Sequence, residues 1–438
     1  MSRPNILYIH SHDAGRYVQP YGYPVATPNM QRLAEQGVVF RNNFCSTPTC
    51  SASRSALVTG MHPHNNGMLG LAHRGGFELY DYRKHIVHTL HSAGYHTALC
   101  GVQHVAPKAP MIGYDEIVMT GGPVRNVAPP AIEWLTNAPQ QPFFLSVGFS
   151  DTHREYAEPG PDEDPRWCRP PYPIPDTPAT RRDMASYKAS ARELDRGMGM
   201  VFDALEQAGL ADNTLVICTT DHGIAFPYMK CNLTDHGTGV MLIVRGPGGF
   251  EGGRNIEALV QHMDLFPTLC ELLEIEPPEW LQGTSLMPLI RGEAEEVHKA
   301  IFTEVTYHAS YEPMRAIRTK RHKLIRRFGT RRIPVLPNCD DSPSKTLWLE
   351  SGWRARHVPE EELFDLVFDP NEACNRADDS AYAEVLVDLR ARLQRWMEET
   401  DDPLLKGPVP APQGARVNPV DGTSPQEPAI PASEEHHA

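Results

Sequence analysis

The chain has 438 residues, 40% apolar and 8% aromatic, enough for a large core and for more than one structural unit. Its formal net charge of −14 argues against a nucleic-acid partner, because no local basic patch stands out against that repulsion; Arg326, Arg327, Arg331 and Arg332 read as a solvated loop. No stretch approaches the roughly 20 apolar residues of a membrane span, so no membrane association is expected.

The chain enters an apolar run, Asn5-Ile6-Leu7-Tyr8-Ile9, without a secretory leader, and a cytoplasmic location is the expectation. Thr27-Pro28 reads as a helix start; Met30, Leu33 and Ala34 mark one face, Gly37 ends it, and Val38-Val39-Phe40 follows as a strand. A helix over Lys84–Ala93 leads to the strand Thr97-Ala98-Leu99-Cys100, and 142–149 is another strand-length apolar run. Between Arg181 and Gly209, Met184, Tyr187, Ala191, Leu194, Met198, Val201 and Leu205 recur every three or four residues, which predicts a long amphipathic helix. Strands follow at Thr214–Cys218 and Val240–Val244.

This alternation predicts an α/β body over residues 1–299, a large mixed, mostly parallel sheet sandwiched by helices. After Ala300 the pattern becomes short antiparallel strands near 300–305, 314–318 and 323–325, then one helix from Ala381 to Thr400. Residues 300–402 are therefore expected to form a C-terminal α+β subdomain. Residues 403–438 are rich in proline and acid and lack apolar periodicity, so a disordered tail is expected there. The nine cysteines are odd in number and irregularly spaced, and none forms a C-x-x-C pair, which excludes a disulfide framework and a structural zinc site of that kind.

Ligands of open α/β sheets bind beyond the carboxyl ends of the strands. His12-Asp13, His104, His153 and Asp221-His222 each directly follow an apolar strand, so they are expected to meet there.

The stretch from Cys50 to Gly60 carries the most information. Cys50, Ala52, Arg54, Thr59 and Gly60 fall on the pattern C-x-[P/A]-x-R followed by T-G, which resembles the sulfatase signature. The resemblance implies that a maturation enzyme oxidises Cys50 to formylglycine. One hydroxyl of the hydrated aldehyde then attacks sulfur, and the other lets the aldehyde reform as sulfate leaves. Cys45 lacks an arginine four positions on and is the weaker candidate.

Further residues carry the same likeness. Asp221-His222-Gly223 resembles the second metal-binding segment of the superfamily that joins sulfatases, alkaline phosphatases and phosphonate hydrolases; His12-Asp13 stands where the first segment usually reads Asp-Asp. One divalent ion is implied, held by Asp13, Asp221, His222 and residue 50 with His12 as a further ligand. Calcium is the family's usual ion, and two imidazoles shift the preference toward manganese or zinc. His104 matches a histidine that contacts the formylglycine, His153 the histidine that protonates the leaving group, and Lys230 a sulfate-clamping lysine. Asp151 is a candidate contact to a sugar. The family's lysine two places before His104 is replaced by Val102, with Gln103 or Lys108 as candidate substitutes.

The segments Asn66–Leu71 and Asp221–Pro227 carry a likeness to the heparan N-sulfatase (sulfamidase) branch, which implies a carbohydrate or small sulfate substrate. Two other readings stay open: a phosphonate monoester or phosphodiester hydrolase on the same scaffold, and a catalytically silent binding protein with unmodified Cys50. The oligomeric state is left open.

Overall fold

The computed structural model describes residues 3–434. Its larger unit is built on an eight-stranded sheet. In chain order the strands are β1 (Asn5–Ser11), β2 (Val38–Phe44), β3 (His96–Gly101), β4 (Glu116–Thr120), β5 (Phe143–Gly148), β6 (Thr214–Thr220), β7 (Leu242–Arg245) and β8 (Arg254–Gln261). Their spatial order is β4-β3-β5-β1-β6-β7-β2-β8. β7 runs antiparallel to β6 and β2, and the remaining pairs are parallel.

Every residue of β1, β5 and β6 is buried, as it must be when helices cover both faces. Alternate residues of β1 serve opposite cores. Leu7 and Ile9 pack with Met30, Val127, Leu194 and Met198 from the helices Pro28–Gln36, Val124–Thr136 and Pro178–Gln207. Ile6 and Tyr8 pack with Leu57, Leu90 and Phe266 from the helices Cys50–Thr59, Ile86–Ser92 and Leu265–Leu272.

Three elements of this body escape the sequence pattern. β4 and β8 are the two edges of the sheet, and each exposes part of its length, so neither reads as an apolar run. The Val124–Thr136 helix holds Pro129 and Pro130, residues that normally argue against a helix interior, yet Val127, Ala128 and Ala131 still form a buried face.

The C-terminal subdomain is a four-stranded antiparallel sheet of β9 (Ala300–Tyr307), β10 (Tyr311–Thr319), β11 (His322–Arg327) and β12 (Glu361–Asp365), in the order β12-β11-β10-β9. One face carries Met314, Ala316, Ile325 and Phe364 against Leu233 of the larger unit. The other carries Ile317, Leu324 and Leu363 against Leu389, Leu393 and Trp396 of the helix Ala383–Glu399.

The expectation of a disordered tail is corrected for residues 403–434. Leu404, Val409, Ala415, Val417 and Ala432 join the same core as the Ala383–Glu399 helix. β13 (Arg416–Val417) pairs with β14 (Ile430–Pro431), and Asn418 is fully buried, its amide donating to Ala309 O at 2.7 Å. Gly75 and Gly76 have positive φ and lie so close to the segment that a Cβ on either would meet the Gly414 or Gln413 carbonyl. The anchors are few and irregularly spaced, so composition alone reads as disorder; a groove between the two units supplies the burial. Residues 435–438 of the expected tail lie outside the described residues.

Among the described residues no helix is long and apolar enough to cross a membrane.

Candidate active site

The parallel register of β1, β5 and β6 brings their carboxyl ends level: Ser11 pairs with Thr220, and His10 with Gly148. The chain leaves β1 as His12-Asp13 and β6 as Asp221-His222. Asp13 has φ 43°, a left-handed conformation that turns the chain sharply at this edge. Gly223 lies against the His236 carbonyl, where a Cβ would collide, so the second turn tolerates glycine there and little else.

Cys50 is the first residue of its helix, and all ten residues of that helix are buried. The amides at this N-terminus point into the site and favour negative charge there. Cys50 Sγ lies 3.3 Å from His222 Nε2. Burial raises the thiol well above its ordinary range; Lys230 and Arg54 pull it down, Asp13 and Asp221 push it up. An unmodified Cys50 is thus a neutral thiol in this protein matrix.

Asp221 is the centre of the ligand cluster. Its Oδ1 accepts the backbone amides of Asp13 at 2.8 Å and His222 at 2.9 Å. Its Oδ2 accepts Arg54 Nη2 at 2.9 Å and faces His12 Nδ1 at 3.2 Å. Burial alone would raise this carboxyl, but His222, Arg54 and His12 hold it well below the usual carboxylate range. Arg54 also donates to Ser11 O at 2.8 Å and contacts His10 Nδ1 at 2.7 Å. Its guanidinium therefore braces Asp221 and the end of β1.

Ligand-type atoms of His12, Asp13, Cys50 and Asp221 lie within 4.8 Å of one another, and all four residues are buried. His222 Nε2 is 3.3 Å from Asp13 Oδ1 and 3.7 Å from Asp221 Oδ2. Its Nδ1 is 3.0 Å from the Gly223 carbonyl, which can only accept, so the proton sits on Nδ1 and the Nε2 lone pair faces the cluster. His12 Nδ1 and Asp13 Oδ1 are buried without a hydrogen-bond partner. Burial, with Arg54, lowers His12 to about 4, which keeps that imidazole neutral near neutral pH. Orphaned acceptors converging with carboxylates suit a divalent cation, since buried polar atoms otherwise find donors.

Lys230 Nζ lies 2.9 Å from Asp13 Oδ2 and 3.0 Å from Asp340 Oδ2. Burial would lower this ammonium, but Asp13 and Asp340 outweigh it and hold it charged. A buried lysine without such partners would cost several kcal/mol. His104 and His153 flank the cluster, their rings 5.9 Å and 5.4 Å from that of His12. His153 Nδ1 donates to Arg154 O at 2.6 Å, which leaves Nε2 as the free ring nitrogen. The Arg154 guanidinium, bound to both oxygens of Asp183 and to Ala225 O, fastens this loop to the one that carries His222.

With this geometry in hand, the relatives can be compared. A family model described as Sulfatase matches residues 4–275, and one described as N-sulphoglucosamine sulphohydrolase, C-terminal, matches residues 226–344. The human N-sulphoglucosamine sulphohydrolase is 32% identical, over 93% of this chain and 92% of that protein. The chain belongs to the sulfatase family. Among solved structures, a putative sulfatase from Bacteroides thetaiotaomicron shares the fold with a TM-score of 0.73 at 21% identity, covering 99% of this chain and 100% of its own. The phosphonate monoester hydrolase of Agrobacterium radiobacter shares it too, with a TM-score of 0.70 at 22% identity, over 91% of this chain and 96% of its own. The chain is a hydrolase of sulfate esters by family, and family membership implies both a metal and a formylglycine.

Not every expected residue of this sulfatase reaches the cluster. Asp151 Oδ2 accepts the Val124 amide at 2.8 Å, at the start of the Val124–Thr136 helix, so the carboxylate serves a helix terminus. Gln103 is occupied within its own loop, accepting from Val105 and Ala106 and donating to Ala106 O. Lys108 is exposed and makes no bond to the cluster among the described residues.

Three residues without a sequence signal stand beside the cluster. His73 Nδ1 is 3.0 Å from His104 Nε2 and its ring stacks on that of His104. Asp340 reaches Lys230 from the C-terminal subdomain. His308, on the turn between β9 and β10, is buried, and its Nδ1 has no partner. Burial and then Lys230 keep its imidazole well below the ordinary histidine value. Asp340 and His308 belong to no motif, and their positions depend on how the second sheet docks.

Proposed function

We propose that this sulfatase removes sulfate from a sugar, with an N-sulfated or O-sulfated glucosamine as the substrate class. The observation that carries the reading is the position of Cys50, at a helix N-terminus and 3.3 Å from His222 Nε2, against a converging set of His12, Asp13 and Asp221. The sugar assignment leans on the relative named N-sulphoglucosamine sulphohydrolase and on the matching C-terminal family model.

In this reading a maturation enzyme converts Cys50 to formylglycine, which in hydrated form supplies the attacking hydroxyl. Asp13, Asp221, His222, residue 50 and His12 hold one divalent ion, which supplies positive charge to the sulfate oxygens. Calcium is the ion usual in the family, and the two imidazoles also suit manganese.

The chain's own groups do the rest. Lys230 holds a sulfate oxygen with a proton left over from its contacts to Asp13 and Asp340. His104, kept neutral by burial, accepts a hydrogen bond from residue 50. His153, anchored through its Nδ1–H, presents Nε2 to the leaving nitrogen or oxygen; in its imidazolium form it gives up the Nε2 proton as the bond to sulfur breaks and is left neutral.

Charge also selects the substrate. Asp13, Asp221 and Asp340 carry three negative charges against Arg54 and Lys230, a balance of 2 − 3 = −1. A divalent ion raises it to +1, which a singly charged sulfate neutralises and a doubly charged phosphate monoester exceeds. A phosphonate monoester has the same charge as sulfate, and His222 beside Asp221 favours that second reading.

The test compares kcat/KM for N-sulphoglucosamine, an aryl sulfate and an aryl phenylphosphonate on one preparation whose residue 50 is identified by peptide mass. Turnover of the sulfated sugar with an aldehyde at position 50 supports the reading. A preference for the phosphonate by several orders of magnitude, or full activity with a thiol at position 50, overturns it.

A further inference from the structure

The C-terminal subdomain reaches the site at Lys230, and it does so with a carboxylate. Asp340 Oδ2 is 3.0 Å from Lys230 Nζ, the ammonium that also contacts Asp13. A carboxylate beside a pocket built for an anionic sulfate repels the very group that has to bind. Such a group persists in a binding site where the ligand brings a donor to it.

Asp340 has acceptor capacity to spare. Its side chain is 16% exposed, and Oδ2 contacts Lys230 at ion-pair distance without hydrogen-bond geometry. His308 stands in the same wall with its own Nδ1 unpartnered. Asp340 is thus partly exposed with Oδ2 short of a hydrogen-bond donor, and His308 adds a second unfilled polar atom to the same wall.

The turn that carries Asp340 is rigid. Lys345, buried, donates to Cys339 O at 2.6 Å and to Asp341 Oδ1 at 2.9 Å, on either side of Asp340. Asn338 Oδ1 accepts the Ser310 amide at 2.8 Å, and Ser310 Oγ donates to Asn418 O at 2.8 Å. Those bonds lock the Asp340 turn, the His308 turn and the C-terminal segment into one wall. An acceptor held this firmly loses little freedom on binding and discriminates sharply between ligands with and without a donor.

We infer that Asp340 is the specificity residue of this enzyme: it accepts a hydrogen bond from a hydroxyl or amino group on the sugar carbon next to the sulfated position, with His308 closing the same pocket wall. The inference rests on the sulfated-sugar reading above and adds what selects such a sugar over an aryl sulfate, which has no donor at that place.

The test is Asp340→Asn, read on two substrates. Lys230 keeps Asp13 as its partner, so the variant leaves no buried ammonium without a counter-charge. For N-sulphoglucosamine, kcat/KM falls by about 10- to 100-fold, the range for one hydrogen bond to a charged group. For an aryl sulfate, which shares the Lys230 contact but lacks the donor, the loss is at least about tenfold smaller than for the sugar, and metal content is unchanged. Equal losses on both substrates would mean that Asp340 acts through Lys230, and no loss on either, in Asp340→Asn and also in Asp340→Ala, which has no acceptor, would mean that it contacts no donor; both overturn the inference.

Calorimetry on a Cys50→Ala background reads the same contact without turnover. Asp340→Asn weakens N-sulphoglucosamine binding there by about tenfold or more, and aryl sulfate binding by a clearly smaller factor. Equal affinities for the sugar with and without the change overturn the inference. Failure of the sulfatase reading is seen separately, in wild-type enzyme that does not hydrolyse N-sulphoglucosamine.

Discussion

The two walls of the active site are made in different ways. On one wall, His12-Asp13 and Asp221-His222 leave adjacent parallel strands at the same level, and the Cys50–Thr59 helix brings its first residue to them. Short connections to a rigid sheet set their mutual distances. The other wall, with Asp340 and His308, comes from connections of a separate antiparallel sheet, held by side-chain bonds from Lys345, Asn338 and Ser310 and by a C-terminal segment laid across the joint. The first wall holds the candidate nucleophile and the ligand-type cluster. The second meets the cluster through Lys230 and is built from loops on a separate sheet, and that is where we place substrate choice.

The largest expected effect tests the first wall. Cys50→Ala abolishes turnover, by about four orders of magnitude or more in kcat, while circular dichroism and the melting temperature stay near wild type. Substantial residual activity would remove Cys50 from the chemistry. Asp221→Asn comes next, keeping the shape of the side chain while removing its charge. Elemental analysis is expected to find a lower metal content, and kcat/KM falls by about 100-fold or more. Full metal occupancy in this variant would take Asp221 out of the ligand set.

The strap that supports the second wall gives a smaller effect. Asn418→Ala removes the acceptor for Arg74 and the donor to Glu427 O, so stability falls by about 1–3 kcal/mol. Turnover drops several-fold with metal content intact, measured by urea unfolding and by assay on the same samples. Loss of metal in this variant would show that the two walls are not separable.

The joint between the units also has a pH signature. His62 and His64 of the larger unit stack on each other, and His64 Nδ1 contacts Glu304 Oε1 of β9 at 2.9 Å. Burial, with His64, lowers His62 to about 3, so it stays neutral when folded. Burial would raise Glu304, but His64 and Arg315 hold it down to about 2. In the unfolded chain His62 takes up a proton near pH 6.5 and Glu304 near its ordinary value of about 4.5. The unfolded state thus binds more protons, so stability is highest above about pH 6.5 and falls as pH drops, first through His62 and then through Glu304. Melting curves between pH 4 and 7 test the first part, and His62→Gln should flatten the slope between about pH 6.5 and 4. An unchanged slope would assign the acid sensitivity elsewhere.

The smallest expected effect concerns a residue that neither wall uses. Asp151→Asn weakens the contact to the Val124 amide and costs about 0.5–2 kcal/mol of stability. Its kcat/KM on a sulfated sugar stays within about threefold of wild type, and a hundredfold loss would return Asp151 to the substrate pocket.

Much of this was legible from residue order. The apolar runs that became β1, β3, β5 and β6 announced a buried sheet, and the long helix at Pro178–Gln207 announced itself by its periodicity. The edge strands β4 and β8 did not, because each exposes part of its length and tolerates polar residues there. The Val124–Thr136 helix was hidden by its two prolines. In the site, Gln103 was a candidate substitute for the missing lysine, and its loop bonds occupy it instead.

By itself the sequence marked the candidate nucleophile, the candidate ligands and the sheet that gathers them. Cys50, Asp13, Asp221 and His222 sit next to strands or a helix start, and parallel register then fixes where such residues meet. Tertiary structure alone decided that Asp340 and His308 stand near Lys230 and that residues 403–434 pack into the core of the Ala383–Glu399 helix. Those contacts join segments far apart in the chain through the docking of two units, and a docking surface leaves no periodic trace in any one segment that forms it.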